Sequence, residues 1–175
     1  MRPGQAVCVH MHANLPLPAR GSCTCSKVRG LARRLTAMYD SALAPHGLTV
    51  TQYAALVAVA RVEGALAVAD LAQRLQMDRT TTSRLVVPLE RAGLVARVDG
   101  RKASGKRMLG DARTRPLQLT AKGERRLRSA TPAWKDVQSR VVDLLGARLQ
   151  ATLTQAADAA GRALADVDIE SADRS

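Results

Sequence analysis

A chain of 175 residues is long enough to bury a core of its own. This one has no Phe, one Trp and two Tyr, so Ala, Leu and Val have to fill that core and a mainly helical fold is expected. The formal charge of +12 is uneven: six basic residues face one acid in 1–50, twelve face six in 51–120, and nine face eight beyond. Such a field attracts polyanions through counterion release. No stretch has the length and apolarity of a membrane span, and residues 1–21 lack the apolar run of a secretory leader. A cytoplasmic protein with no membrane partner is predicted, its Cys8, Cys23 and Cys25 being thiols and not a disulfide framework.

In chain order, residues 1–22 are rich in Pro, Gly and small side chains and read as a mobile arm. Val28, Leu31, Leu35, Met38 and Ala42 follow helical spacing, and Pro45 and Gly47 end that first helix. Thr49-Val50-Thr51-Gln52 has the capping-box pattern, and Tyr53, Leu56, Val57 and Ala60 form the buried stripe of a second helix, stopped by Glu63-Gly64. A short helix over Val68–Leu75 precedes a fourth over 79–92, with Pro88 inside it. Residues 94–98 and 116–119 read as two strands, joined by a 17-residue connection with six basic residues against two acids. A hairpin loop this long and basic is a candidate functional loop. From Thr120 the pattern is helical again up to Gly146, and Leu149, Leu153, Ala156, Ala160, Ala163 and Val167 line a last helix with a stripe suited to close packing on a partner.

The chemistry concentrates in the fourth helix. Asp78 is a capping residue, and Arg79, Thr80, Thr81, Thr82, Ser83 and Arg84 follow it as six side chains that all donate hydrogen bonds. A helix whose N-terminal end carries Arg, Thr and Ser is suited to phosphates and base edges. With the preceding helix it forms a helix-turn-helix pattern, which points to double-stranded DNA. Arg101, Lys102, Lys106, Arg107, Arg113 and Arg115 make the long connection a wing that touches the same duplex.

An enzyme is not expected. His10, His12 and His46 are the only histidine bases, and no nucleophile elbow, phosphate loop or inward pair of carboxylates accompanies them. No cofactor is implied. The rival from another class is a basic protein that coats nucleic acid without sequence preference; the Asp78-capped helix argues against it, because backbone binding needs charge and little else.

Residues 27–167 resemble the MarR family of winged helix-turn-helix transcriptional regulators. The resemblance is carried by Gly47-Leu48-Thr49-Val50-Thr51-Gln52-Tyr53, by Asp70-Leu71-Ala72-Gln73-Arg74-Leu75, by residues 78–84, and by Leu89-Glu90-Arg91-Ala92-Gly93-Leu94-Val95. Asp111-Ala112-Arg113 and Leu119-Thr120-Ala121-Lys122-Gly123 complete it. Each piece is weak alone; the order and spacing make them specific. The resemblance implies a mainly α fold, with a small β-hairpin wing and a helical dimerisation domain built from both termini. It divides the chain into the arm 1–22, dimerisation helices in 23–48 and 121–168, a DNA-binding domain 49–120 and a frayed tail 169–175.

It also implies a homodimer acting on a palindromic operator, usually as a repressor, with Arg113 entering the minor groove and Asp111 holding it. Two departures stand out. Ala67 replaces the usual Thr or Ser before the third helix, and the wing is lengthened through residues 100–107.

Three switches are open. A small-molecule effector would occupy the family's pocket, which here involves Tyr39, His46, Gln52, Tyr53 and Val57; ordinary core tyrosines are the bland alternative. Cys23-Thr24-Cys25 lies at a helix start beside Lys27 and Arg29, where the helix terminus and cations favour a thiolate, and suits oxidation sensing. Adding Cys8, His10, Met11 and His12 gives a loose set of metal ligands that matches no strict motif, so the metal-responsive reading stays an alternative.

Overall fold

The computed structural model describes residues 23–99 and 115–165. Six α-helices are described: α1 Thr24–Leu43, α2 Val50–Ala60, α3 Val68–Leu75, α4 Arg79–Arg91, α5 Ala121–Leu145 and α6 Ala147–Ala165. A 3-10 turn, Ala44–His46, follows α1. Two short strands, β1 Val95–Arg97 and β2 Leu117–Leu119, separate α4 from α5. The contacts divide the chain into two units, Met1–Leu35 and Thr36–Ser175, with the boundary inside α1. In the first unit the chain is helical from Thr24, and the Lys27 N–H closes on the Cys23 carbonyl at 3.2 Å.

The second unit holds the core. Leu43, Leu48, Leu56, Leu71, Val86, Leu89, Leu94 and Leu117 belong to it, all with at most a few per cent of their surface exposed. Aliphatic side chains dominate this core, as the composition requires. α2 runs through its middle and buries Tyr53, Ala55, Leu56, Ala58 and Val59 on several sides, the pattern of an enclosed helix. The capping box is formed: the Gln52 N–H donates to Thr49 Oγ1 at 3.2 Å and the Thr49 N–H to Gln52 Oε1 at 3.0 Å. α3 is shorter than an isolated helix can sustain, and it is held by burying Val68, Leu71 and Ala72.

β1 and β2 are antiparallel, with Val95 opposite Leu119, Ala96 opposite Gln118 and Arg97 opposite Leu117. Both are shorter than the expected strands. A feature outside the sequence expectation is Leu66, which exchanges two backbone bonds of 2.8 Å with Leu117 and adds a third, one-residue rung. Leu66 and Leu117 are both buried, so the sheet is clamped to the start of α3 where its hydrogen bonds are shielded from water. α5 is one continuous helix of 25 residues with Pro132 inside it, ending at Gly146. None of the described side chains of α6 is buried. No single described helix is long and apolar enough to cross a membrane.

Candidate nucleic-acid interface

α4 starts from a strong cap. Asp78 has extended backbone angles, and its Oδ1 accepts the Thr81 N–H at 2.8 Å while its second oxygen accepts the Thr81 hydroxyl. Those bonds, the hydroxyl first and the amide second, hold the carboxyl below its ordinary value of 3.8. Arg79, Thr80, Thr81, Ser83 and Arg84 are exposed, as a surface that meets another molecule requires.

Thr82 is the exception and corrects the expectation that it contacts DNA. It is fully buried, and its hydroxyl donates to the Asp78 carbonyl at 2.9 Å. With Val86 and Leu89 it forms the inward stripe of α4, and Leu85 is half-buried beside them. Opposite that stripe lie Thr80, Arg84, Val87 and Arg91, all exposed and spaced four, three and four residues apart. The Ser83 hydroxyl turns back to the Arg79 carbonyl at 2.8 Å, which leaves its lone pairs available.

The other end of α4 is fixed just as firmly. Gly93, at φ +68, lets the Leu94 N–H reach the Leu89 carbonyl and its own N–H reach that of Glu90, both at 2.9 Å. The Lys122 ammonium donates to the Ala92 carbonyl at 2.8 Å and the Thr120 hydroxyl to the Gly93 carbonyl at 2.7 Å. Gly123 is packed so closely that a Cβ there would collide with the Leu94 carbonyl group. Arg97 Nε and Glu90 Oε1 pair at 2.8 Å between β1 and α4, and Arg97 also reaches the carbonyl of the exposed Arg115 at 3.4 Å. Arg101, Lys102, Lys106, Arg107, Asp111 and Arg113 lie outside the described residues.

A capped, exposed helix behind a short one, followed by a two-stranded sheet, is a winged helix-turn-helix, and known proteins share it. A family model described as MarR family matches residues 46–103. The M. tuberculosis transcriptional regulator MosR, solved in complex with DNA, is 36% identical; the match covers 79% of this chain and 98% of MosR, with a TM-score of 0.62. This chain belongs to the MarR family. It is a transcriptional regulator and not an enzyme. A probable transcriptional regulator from Pseudomonas aeruginosa, 23% identical over 78% of this chain and 96% of its own, has a TM-score of 0.66. CouR from Rhodococcus jostii RHA1, solved with p-coumaroyl-CoA, is 18% identical over 80% and 92%, with a TM-score of 0.64. The last two show the fold alone. A search of the curated proteins finds no match.

The regulator also has a cleft of about 420 Å³ lined by Val50, Tyr53, Ala54, Val57, Ala58, Arg61, Arg74, Leu75 and Trp134. Tyr53 stacks on Trp134, ring centroids 5.8 Å apart at 16°, and its hydroxyl lies 3.2 Å from Thr131 Oγ1. Of the five residues expected in an effector pocket, Tyr53 and Val57 line this cleft. Tyr39, His46 and Gln52 do not. Tyr39 packs on the Trp134 ring at 6.3 Å, donates to Gln138, and has its phenol pushed above 10.0 by burial. His46 Nδ1 is 2.9 Å from Ser129 Oγ, and its carbonyl accepts from Arg126; Gln52 is engaged in the capping box.

Sequence reasoning missed Arg61, Arg74 and Trp134, because three separate helices bring them together. Cys23 and Cys25 are exposed free thiols. Among the described residues no three His, Cys, Asp or Glu side chains cluster as a metal site; Cys8, His10, Met11 and His12 lie outside those residues.

Proposed function

We propose that this regulator is a homodimer that binds a palindromic double-stranded DNA operator and represses transcription until a signal releases it. The outward face of α4 carries the reading: Thr80, Arg84 and Arg91 stand in line, opposite the buried stripe, on a helix capped at one end and bolted to the sheet and α5 at the other. The roles fall to Arg79, Thr80, Thr81, Ser83 and Arg84 in the major groove. Arg115 with Arg101, Lys102, Lys106, Arg107 and Arg113 acts along the backbone and minor groove, and Asp111 supports Arg113. Domain bounds of 49–120 for DNA binding, and 23–48 with 121–168 for dimerisation, follow the same reading. The complex of MosR with DNA and the exposed Leu144, Leu149 and Leu164, apolar side chains that a second copy would cover, support it.

The cleft supports a small-molecule signal. An aromatic wall of Tyr53 and Trp134 beside two exposed guanidiniums, Arg61 and Arg74, suits a planar aromatic anion. Exposed Cys23 and Cys25 support thiol oxidation as a second signal.

The test is a titration of DNA flanking the regulator's own gene against random duplex at fixed salt, with sedimentation analysis of the protein. A dimer with specific affinity about a thousandfold or more above non-specific affinity is expected. A ratio near one favours a nucleic-acid coat, and a monomer at micromolar concentration rejects the symmetric reading. Repeating the titration with oxidant, chelator and aromatic acids separates the signals.

A further inference from the structure

We propose that Val87 is a specificity-determining residue of α4, packing against the C5-methyl group of thymine in the major groove; this rests on the DNA-binding reading above. Among the described residues, the exposed large hydrophobics are Val28, Val87, Leu144, Leu149 and Leu164. Four of them lie on α1, α5 and α6. Val87, 40% exposed, is the one among the described residues of the winged module, whose other described large apolar side chains are buried or half-buried.

Its position is directed. Thr80, Arg84, Val87 and Arg91 follow one line along the helix, on the side away from Thr82, Val86 and Leu89. From Thr80 to Val87 the rise is roughly 10 Å, about three base-pair steps. A helix lying in the major groove by that face therefore sets Val87 over bases while Arg84 and Arg91 on either side reach guanine edges or phosphates.

The chemistry of valine selects the partner. It offers two methyl groups and no hydrogen-bonding group, so it gains nothing from the donor and acceptor atoms that distinguish the other bases. The thymine C5-methyl is the apolar group displayed in that groove. Its branched side chain is already restricted in a helix, so ordering it against a base costs little entropy.

The experiment begins with selection of duplexes from a randomised pool by the full-length protein. The selected duplex is then resynthesised with each thymine in turn replaced by deoxyuridine, which lacks the methyl group. Wild-type protein should lose about fourfold in affinity at each of two symmetry-related thymine positions, the value of one buried methyl apiece. Val87→Ala, which removes the contact from both half-sites of the dimer, should lose about sixteenfold on the thymine duplex and show no further loss on the deoxyuridine duplexes. Its thermal melt should match wild type, because the site is exposed.

Two results overturn the proposal alone: a selected sequence that tolerates deoxyuridine everywhere, or losses from Val87→Ala and deoxyuridine that multiply. Selection that enriches no sequence removes sequence-specific DNA binding itself, and the role of Val87 with it.

Discussion

α3 and α4 are neighbours in one motif, yet they are held in place by different forces. α3 begins at Ala67, which provides no side-chain cap, and ends at Gln76, a non-glycine residue at φ 52. α4 begins at Asp78, whose carboxylate takes two bonds from Thr81, and ends at Gly93, which adopts the left-handed conformation freely. The same backbone closure follows each helix: the Met77 N–H reaches the Ala72 carbonyl as the Leu94 N–H reaches that of Leu89, both at 2.9 Å. α3 therefore depends on its buried face alone, whereas α4 adds firmly fixed ends to a buried stripe of its own. The helix that has to keep most of its surface free for another molecule is the one stabilised by local chemistry.

That contrast can be broken in order of effect. Leu71→Ala removes a fully buried side chain from α3 and should cost about 3 kcal/mol in urea denaturation, the largest loss of the set. Asp78→Ala should lower the melting midpoint by only a few degrees but weaken DNA binding disproportionately, because the exposed end of α4 frays. Comparing it with Asp78→Asn, which keeps a capping oxygen, isolates the charge. Since the native carboxyl titrates below 3.8, its contribution is complete above that pH and is lost as pH falls through the lowered value. Wild type should thus lose stability in acid more steeply than Asp78→Asn. Equal losses from Leu71→Ala and Asp78→Ala would mean that the two helices are not held differently after all.

Smaller changes sharpen the comparison. Gly93→Ala places a Cβ in left-handed backbone and should cost about 1 kcal/mol. Ala67→Ser gives α3 the cap it lacks and should add about 1 kcal/mol, read as a raised denaturation midpoint. Gln76→Gly relieves left-handed strain but frees the unfolded chain, and should change stability by no more than about 0.5 kcal/mol.

The same contrast explains what was legible in the sequence. α4 could be read closely because its signals are local: a capping Asp, a polar first turn, and Gly two residues past the end. The bounds of α3 were also readable, from the spacing of Val68, Leu71 and Ala72. Thr82 was misjudged because Thr80, Thr81 and Thr82 are chemically alike, and only the helix rotation set by Val86 and Leu89 decides which one turns inward. The Leu66–Leu117 rung joins positions 51 residues apart through backbone atoms, which no side-chain pattern announces. The cleft stayed hidden for a related reason: Arg61, Arg74 and Trp134 are chemically unremarkable until α2, α3 and α5 come together.

The tight seat of Gly123 against Leu94 has a mechanical consequence. α5 is about 37 Å long, and its first turn is fastened to the end of α4 through Thr120, Lys122 and that glycine. Any side chain at position 123 would have to part the first turn of α5 from the Leu94 carbonyl, and so would disturb the end of α4 together with the start of α5.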